Sequence, residues 1–398
     1  MKIVGIVSEY NPFHKGHAYQ IQKVREIYGD DTAIVCVMSG DFVQRGEPAV
    51  FSKHARAEAA VRCGADLVIE LPLHISIGSA ERFADGAIRI LGHLGIVDYL
   101  VFGSERDDVA LLERTASVLD NPDFDFRIKA HLESGCSYPT ARSNTLREMM
   151  CGEDASSLPN DNLGVEYIRA IRRHGFSIKP QTVLRKGAMH DKNYEGEMKS
   201  GSELRALLKV GESIRDYVPI EAYEIYVRET EQGRGPVSLN DLETAILSRL
   251  RMVPEEKFGE LPDASEGLEH RLYKACRKET SLPAIYDTVK SKRYTHARIR
   301  RMTMCVVLEV TAEDYVADNL YARVLALNAR GGQILRQSEK IRSIEVISKP
   351  AAARSLEKKQ LDLFCKTSGA HDLYVLAFSD RKDRLGELDW IASPIFVK

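Results

Sequence analysis

The chain has 398 residues, which predicts two or three domains, and its 44% hydrophobic and 29% charged content is that of an ordinary globular protein. A formal net charge of −2 excludes a generally basic protein, so any site for a polyanion has to come from local clustering. The seven cysteines include no Cys-x-x-Cys pair, which argues against a disulfide framework or a structural zinc site and predicts a reducing compartment and no protein-bound metal.

The first residues lead directly into a strand pattern and lack the charged start, apolar stretch and cleavage site of a signal peptide. A run of about 18 apolar residues, which a membrane-spanning helix would require, does not occur in the sequence. We therefore expect a soluble protein of the cytoplasm, with no membrane association and no obligate protein partner.

Apolar, β-rich segments alternate with segments of helical periodicity through the first hundred residues. The segments that predict strands are 2–7, 32–38, 66–71 and 99–102, and those that predict helices are 17–28, 52–64 and 79–94. This alternation predicts a Rossmann-like α/β fold, a doubly wound parallel sheet with crossover helices on both faces. Ligands of such sheets bind beyond the carboxyl ends of the strands.

The pattern is less regular afterwards and changes character at Pro219. The elements predicted before this point are helical connections over 108–153, a helix over 163–174, a last strand over 178–183 and a capped helix over 200–209. After it we expect mostly helices up to 300, then strands at 304–310, 322–327 and 373–378 with a chain reversal at 329–332. These changes divide the chain into an α/β domain (1–218), a helical region (219–300) and a smaller α/β C-terminal domain (301–398).

A loop suited to phosphate binding connects the first strand to the first helix. It reads Glu-Tyr-Asn-Pro-Phe-His-Lys-Gly-His over residues 9–17 and ends where free backbone N–H groups and the positive end of a helix dipole are found. His14 and His17 are three residues apart, so both can donate to phosphate oxygens from one face of the first turn. Gly16 allows a ligand to approach the backbone closely. The structural alternative is that one histidine caps the helix while the other packs.

The His-x-Gly-His loop resembles the signature of the HIGH-motif nucleotidyltransferase superfamily, which includes class I aminoacyl-tRNA synthetases and small adenylyltransferases. The resemblance implies a second signature near the end of the domain, and Ser-Gly-Ser-Glu-Leu-Arg at 200–205 fits it. A helix N-terminus with hydroxyls and an arginine can hold the β- and γ-phosphates as pyrophosphate leaves. The same pattern by itself also suits an ordinary helix cap.

Five separated motifs, in this order, narrow the resemblance. They lie at residues 10–17, 38–48, 102–105, 159–164 and 185–191. Together they are similar to the bacterial tRNA(Met) cytidine acetate ligase family, over nearly the whole chain. That family uses ATP and acetate to make N4-acetylcytidine at the wobble position of elongator tRNA(Met).

The family resemblance implies ATP contacts along the first loop and at three later positions, with Mg²⁺ accompanying the nucleotide. These residues are Val7, Ser8, Glu9, Tyr10, Asn11, Pro12, Phe13, His14, Lys15, Gly16, His17, Ala18, Tyr19, Gln20, Gly103, Asn160 and Arg185. The chain departs from the family pattern at 159–164, where it reads Pro-Asn-Asp-Asn-Leu-Gly and we expect an apolar residue before Leu-Gly. Asn160 is therefore the preferred nucleotide contact, and Asn162 a local substitute.

Catalytic roles are assigned to five residues, namely His14, His17, Asp41, Ser202 and Arg205. Asp41 follows the second strand and is expected in the same crevice as the histidines, where it would orient the target amine; capping the next helix is an equal alternative. Gln44 and Arg45 face either the substrate or solvent. His190 and Asp191 are adjacent and can orient one another.

Acetylation of a cytidine with free acetate requires activation, because acetate itself has no good leaving group. Attack of acetate on the α-phosphorus of ATP gives acetyl-adenylate and pyrophosphate, and AMP then leaves when the exocyclic amine attacks. Positioning and stabilisation of phosphate charge are sufficient for both steps, so no covalent enzyme nucleophile is expected.

The strongest basic run, at residues 290–301, has six Lys or Arg among twelve residues. It makes region 219–300 the expected tRNA-binding surface, with a solvated helix face as the alternative. A small-molecule adenylyltransferase is the alternative function, and a non-catalytic RNA-binding protein is a third. The residues beyond 218 favour a macromolecular substrate, and the intact histidine and Ser–Arg motifs favour an enzyme.

Overall fold

The computed structural model describes residues 1–153, 158–185, 198–291, 294–316 and 319–398. Eight strands within these residues form one sheet. They are β1 (Ile3–Ser8), β2 (Ala33–Ser39), β3 (Leu67–Leu71), β4 (Tyr99–Ser104), β5 (Lys179–Leu184), β6 (Tyr321–Leu327), β7 (Glu345–Ile347) and β8 (Ile395–Phe396). The five strands predicted before residue 200, and the one predicted at 322–327, are confirmed to within two residues.

The strand order is β5-β4-β1-β2-β3-β6-β7, with β8 also beside β6. The strands β1 to β5 are mutually parallel. The chain builds β1, β2 and β3 outward in one direction and then places β4 on the other side of β1. The carboxyl ends of β1 and β4 therefore flank the point where the winding reverses, which is where open α/β sheets bind their ligands.

Helices cover both faces of the sheet. The first nine are α1 (Lys15–Tyr28), α2 (Lys53–Arg62), α3 (Leu73–Ser76), α4 (Ala80–His93), α5 (Val109–Leu119), α6 (Pro122–Glu133), α7 (Tyr138–Met149), α8 (Pro159–His174) and α9 (Gly201–Lys209). The later ones are α10 (Ile220–Glu231), α11 (Glu243–Met252), α12 (Glu255–Gly259), α13 (Leu268–Lys278), α14 (Leu282–Val289), α15 (His296–Val307), α16 (Ala329–Ser338) and α17 (Lys358–Val375). A helix able to cross a membrane is not found in the part of the chain that the structure describes.

The side chains of β2 alternate between two cores, as the period of two in a strand requires. Val35 and Val37 pack with α4, α5 and α8 on one face. Ile34 and Cys36 pack with α1, α2 and α10 on the other face. The predicted arrangement of a parallel sheet with helices on both faces is confirmed.

Two strands predicted in the last hundred residues are wrong. Residues 304–310 lie mostly in α15, and residues 373–378 cover the end of α17 and the turn after it. The chain reversal predicted at 329–332 is instead the first turn of α16, which Asn328 caps. Met304 to Val307 are buried in a third core. A helix turn that is buried on every side has the same unbroken run of apolar residues as a buried strand, so the sequence pattern did not distinguish the two.

The segment after residue 300 does not form a sheet of its own among the described residues. β6 pairs antiparallel with β3, and β7 and β8 lie along its outer side. The third core likewise joins Leu73, Leu250 and Tyr374, one from each predicted part of the chain. The strands of this segment thus extend the N-terminal sheet, and the division of the chain at 218 and 300 stays a prediction.

Gly164 lies where α8 packs on β4. A Cβ at this position would stand 2.4 Å from Cε2 of Phe102, whose ring is buried. We expect Gly164→Ala to lower the free energy of unfolding by about 1–3 kcal/mol, because overpacking forces the ring or the helix to move. Denaturant unfolding followed by circular dichroism measures this change.

Gly369 is the matched control, since it also lies within a helix and a Cβ there would meet nothing within 4 Å. Gly369→Ala is expected to raise the free energy of unfolding by roughly 0.5–1 kcal/mol, because alanine is the better helix former. Similar values for the two variants would contradict the close packing at Gly164.

Candidate active site

The loop after β1 ends in a reciprocal pair of bonds between backbone N–H groups and imidazoles. The N–H of Gly16 donates to Nδ1 of His14 at 3.0 Å, and the N–H of His14 donates to Nδ1 of His17 at 3.2 Å. The two bonds form a capping box at the start of α1. Because Nδ1 accepts in each ring, the neutral imidazole carries its proton on Nε2, which stays available as a donor. A Cβ on Gly16 would lie 2.8 Å from the His14 ring, so this position requires glycine.

Both imidazoles are held in their neutral form. Burial, followed by the positive charges of Arg185 and Arg205, lowers the pKa of His14 to about 4. Burial, followed by the charges of His14 and Arg185, holds the pKa of His17 well below its ordinary value. The two rings stack with their centroids 3.8 Å apart. Each histidine thus caps the helix through Nδ1 and still presents an uncharged N–H donor.

Residues far apart in the chain hold the loop in place. The side-chain oxygen of Asn11 accepts from the N–H of Val50 at 2.8 Å, and its backbone carbonyl accepts from Arg205 at 2.7 Å. The N–H of Phe13 donates to the hydroxyl of Tyr226 at 2.8 Å. Sequence reasoning missed Tyr226, because a buried tyrosine in an amphipathic helix looks like any other core residue.

The second predicted motif lies directly against this loop. The Ser200 hydroxyl caps α9, and Glu203 accepts from the Ser200 N–H at 2.7 Å in return. The hydroxyls of Ser200 and Ser202 are 3.0 Å apart. A Cβ on Gly201 would stand 3.1 Å from the carbonyl oxygen of Asn11. The helix N-terminus at residues 200–205 and the histidine loop therefore share one crevice.

A third group adjoins the crevice from β4 and β5. Arg185 donates to the side-chain oxygen of Asn160 at 3.0 Å. A Cβ on Gly103 would come within 3.1 Å of the Arg185 side chain, which therefore lies across this glycine. Asn162 instead accepts from Arg142 at 2.7 Å. The structure thus joins Asn160, and not Asn162, to the group predicted from sequence.

Several positions in the stretch 7–20 support the site and do not face it with their side chains. Tyr10 and Phe13 are fully buried in the core. The Gln20 side chain donates to a β4 carbonyl at 3.0 Å, and Glu9 accepts from the N–H of Gln44 at 3.0 Å. The other residues of this stretch that were predicted to contact ATP are placed as follows: Val7 and Ser8 at the end of β1, Pro12 after a cis peptide bond, and Lys15, Ala18 and Tyr19 in α1.

The crevice is suited to an anion with several charges. Arg185 and Arg205 donate to neutral oxygens, so those hydrogen bonds do not neutralise them, although the carboxylates of Glu9 and Glu47 act on Arg205 from nearby. The Nε2–H groups of His14 and His17 and the N-terminus of α9 add donors without adding formal charge. A triphosphate has the charge and the oxygen atoms to satisfy this set.

The contacts of Asp41 are with other residues. One of its oxygens accepts from the N–H of Lys53 at 2.8 Å at the start of α2, and the other is 2.7 Å from Nδ1 of His371. Although burial alone would raise it, the charges of His371 and Lys53 lower the pKa of Asp41 below its ordinary range. These contacts favour the alternative in which Asp41 supports the start of α2 beside the Ser52 cap, and its place beside the histidines stays a prediction. The predicted residues outside the described part of the chain are His190, Asp191, Lys292 and Arg293.

Three arginines of the basic run are held by the protein itself. Arg298 donates to the backbone carbonyl of Asp263 at 2.9 Å, and Arg301 lies 3.7 Å from the carboxylate of the same residue. Arg300 pairs with Glu47 at 3.2 Å. These three arginines are therefore neither a free cationic surface for tRNA nor the solvated helix face of the alternative.

Comparison with known proteins extends over the whole chain. A family model described as HIGH Nucleotidyl Transferase matches residues 1–387. The tRNA(Met) cytidine acetate ligase of Caldicellulosiruptor saccharolyticus is 40% identical over 380 residues, which is 94% of either chain. That of Acetivibrio thermocellus is 36% identical over 409 residues, or 96% of either chain. The crystal structure of Thermotoga maritima TmcAL bound with alpha-thio ATP matches with a TM-score of 0.93 at 34% identity and covers 100% of both chains.

The charge of Arg185 is expected to influence the histidines directly. Arg185→Gln removes a positive neighbour while keeping a donor for Asn160, and a lost positive charge favours the protonated imidazole. The pKa of His14 should therefore rise from about 4, and that of His17 should rise with it. Nuclear magnetic resonance of the imidazole nitrogens against pH measures both shifts.

Arg330→Gln provides the control, since Arg330 donates to carbonyls just before β2, at the opposite end of the sheet. It should leave both imidazole titrations where they are. An unchanged His14 titration in Arg185→Gln would show that the two side chains are not close.

Proposed function

Because this chain belongs to the HIGH nucleotidyltransferase family and, within it, to the tRNA(Met) cytidine acetate ligases, we propose that it joins acetate to a cytidine of tRNA(Met) using ATP. The product is N4-acetylcytidine at the wobble position of elongator tRNA(Met), released with AMP and pyrophosphate. The observation that carries the proposal is the group of two neutral imidazole donors and two arginines, His14, His17, Arg185 and Arg205, around the helix N-termini beyond β1. The relative from Thermotoga maritima, bound with alpha-thio ATP, supports ATP as the ligand.

In the first step an oxygen of acetate attacks the α-phosphorus of ATP, and the bond to the bridging oxygen breaks. Pyrophosphate leaves with that electron pair. The Nε2–H groups of His14 and His17 donate to the α-phosphate oxygens as their charge increases. Arg205 and the Ser202 end of α9 hold the departing β- and γ-phosphates. Stabilisation of this developing charge by fixed donors is the main contribution of the protein.

In the second step the exocyclic amine of the cytidine attacks the acetyl carbon of acetyl-adenylate. The bond between that carbon and the phosphate oxygen breaks, AMP leaves, and the amine loses a proton to solvent. A cysteine nucleophile is not needed. Burial raises the pKa of the Cys36 and Cys276 thiols to about 12, so these two remain protonated and unreactive.

Gly103, Asn160 and Arg185 are proposed to hold the nucleoside end and the α-phosphate of ATP from the β4 side. The glycine allows close approach, and the guanidinium is fixed by the amide that it contacts. Magnesium is proposed to enter with ATP, bound mainly by phosphate oxygens and water, as is usual for this ion. A tRNA substrate places the reaction in the cytoplasm.

The tRNA is proposed to lie along region 219–300. Lys274 and Lys278 on α13 are exposed to solvent there. Arg271 and Arg277 on the same helix are exposed too, although both donate to carbonyls of neighbouring segments. A cluster of cations on one helix can neutralise phosphates of the tRNA backbone.

The proposed reaction is tested with ATP, labelled acetate and a transcript of elongator tRNA(Met). We expect label in N4-acetylcytidine after digestion to nucleosides, in amounts that depend on both ATP and enzyme. A transcript with uridine in place of the target cytidine is the matched control and should stay unlabelled. If no nucleoside in the digests carried the label, although the enzyme preparation still bound ATP, the proposal would be refuted.

The role of His14 is tested with His14→Asn. Asparagine retains an acceptor for the Gly16 N–H but removes the Nε2 donor, so helix capping survives and the phosphate contact does not. Acetate-dependent exchange of pyrophosphate into ATP should fall about 10²–10³-fold, as for the loss of one transition-state donor. Binding of tRNA, measured separately, should persist.

Ser79→Ala is the control, because the Ser79 hydroxyl caps α4 and that helix end is not one of the groups assigned to ATP. It should cost about 1 kcal/mol of stability and leave the exchange rate unchanged. An exchange rate at the parent level in His14→Asn would remove His14 from the catalytic assignment.

A further inference from the structure

A buried polar cluster lies between the start of α2 and the C-terminal segment. It brings together side chains from α2, β3, β6, α17 and the turn before β8. Its members are Lys53, His54, Glu70, Arg323, His371 and Asp389. The function proposed above assigns no role to it.

The two oxygens of Asp389 differ in their surroundings. Its Oδ2 is bound by Lys53 and lies 2.7 Å from a guanidinium nitrogen of Arg323. Its Oδ1 lies 3.6 Å from Nε2 of His54, too far for a hydrogen bond. Oδ1 of Asp389 and Nε2 of His54 are both buried, and neither has a hydrogen-bond partner within the described residues. Asp389 as a whole is 0% exposed. A fully buried carboxylate oxygen without a partner requires an explanation.

The His371 ring lies beside these atoms, with its centroid 5.7 Å from that of the His54 ring. Its Nδ1 is 2.7 Å from the carboxylate of Asp41, which is itself fixed by the N–H of Lys53. With Nδ1–H donating to a carboxylate, the lone pair of the neutral ring lies on Nε2. A carboxylate behind the remote nitrogen is the usual support of a histidine that binds a metal.

We propose that His54 Nε2, His371 Nε2 and Asp389 Oδ1 form a binding site for a divalent transition-metal ion of the zinc class. One ligand atom from each of the three residues lies within 4.8 Å of the others. Tetrahedral zinc with bonds of about 2.0–2.2 Å needs ligand atoms roughly 3.3–3.6 Å apart, so a small inward rotation completes the site. The two imidazoles favour zinc over magnesium, because zinc binds imidazole nitrogen readily and magnesium prefers oxygen ligands.

The charges of the cluster are compatible with a cation. Four carboxylates, from Asp41, Glu70, Asp372 and Asp389, face three cations, Lys53, Arg56 and Arg323. With both imidazoles neutral, one negative charge is left over. A metal ion bound to the imidazole nitrogens would compensate this negative charge. A proton on His371 would compensate it too, and therefore competes with the metal for the site. This proposal departs from the prediction of no protein-bound metal, which rested on the spacing of the cysteines and did not consider histidine and carboxylate ligands.

A metal here would fasten the C-terminal segment to the nucleotide-binding sheet. His54 is in the first turn of α2, whereas His371 and Asp389 lie in α17 and just before β8. The side chain of His54 is 20% exposed, although its Nε2 is buried. The ion would be structural and separate from the magnesium that accompanies ATP.

The test uses the full chain without a polyhistidine tag, stripped of metal by dialysis against a chelator and titrated with Co²⁺ and Zn²⁺. We expect one ion per chain, a visible absorption band of tetrahedral Co²⁺, and a higher melting temperature with Zn²⁺. Asp41→Asn should weaken Co²⁺ binding about 10–100-fold, as for an outer partner of a ligating histidine. His54→Gln should weaken it further.

His296→Gln is the matched control. His296 also lies in the first turn of its helix, with Nε2 3.7 Å from Asp287, and it is not part of the cluster. It should bind Co²⁺ as the parent does. X-ray absorption of the loaded parent protein gives a readout independent of any variant and should show two imidazole ligands. Absence of stoichiometric binding, a spectrum without imidazole scattering, or equal affinity in His54→Gln would overturn the proposal and leave the cluster as a proton-holding ion network.

Discussion

Asn11 holds the loop between β1 and α1 from two directions. Its side chain accepts from the backbone before α2, and its carbonyl accepts from Arg205 of α9, so two motifs almost two hundred residues apart meet at one residue. Everything that the crevice presents depends on this anchor, because the direction of the first helical turn decides where the Nε2 atoms of His14 and His17 lie. The Tyr226 hydroxyl adds a third support from a helix well outside the doubly wound part.

The histidine pair shows that a structural role and a chemical role need not exclude each other. An imidazole has two nitrogens, and a capping bond to Nδ1 fixes both the ring and its tautomer. The remaining N–H then has one orientation and requires no reorganisation when phosphate charge develops, which is the condition for efficient electrostatic stabilisation. Burial keeps the pair neutral, so repulsion between two adjacent cations never arises.

Local patterns predicted the first five strands and the loop at residues 9–17, because strand period, turn residues and caps are encoded over short stretches. The partner motif at 200–205 was predicted from the family resemblance. Local patterns failed where burial was complete: Met304 to Val307 have no polar face that would reveal helical periodicity. They also did not reveal partners that are distant. Asp41 follows a strand as active-site acids do, but its environment is set by His371, which no local rule connects to it. The arginines at 298, 300 and 301 looked free for RNA until their carboxylate and carbonyl partners were known.

The antiparallel strand β6 closes the edge of the sheet that β3 would otherwise leave open. An uncovered parallel edge exposes unpaired backbone groups and is a template for aggregation. A ribosome must therefore synthesise more than three hundred residues before this edge is covered, and until then we expect the emerging half of the protein to be prone to aggregation. We therefore expect a chain that ends before β6 to lose solubility, although the residues of the nucleotide crevice all precede β6.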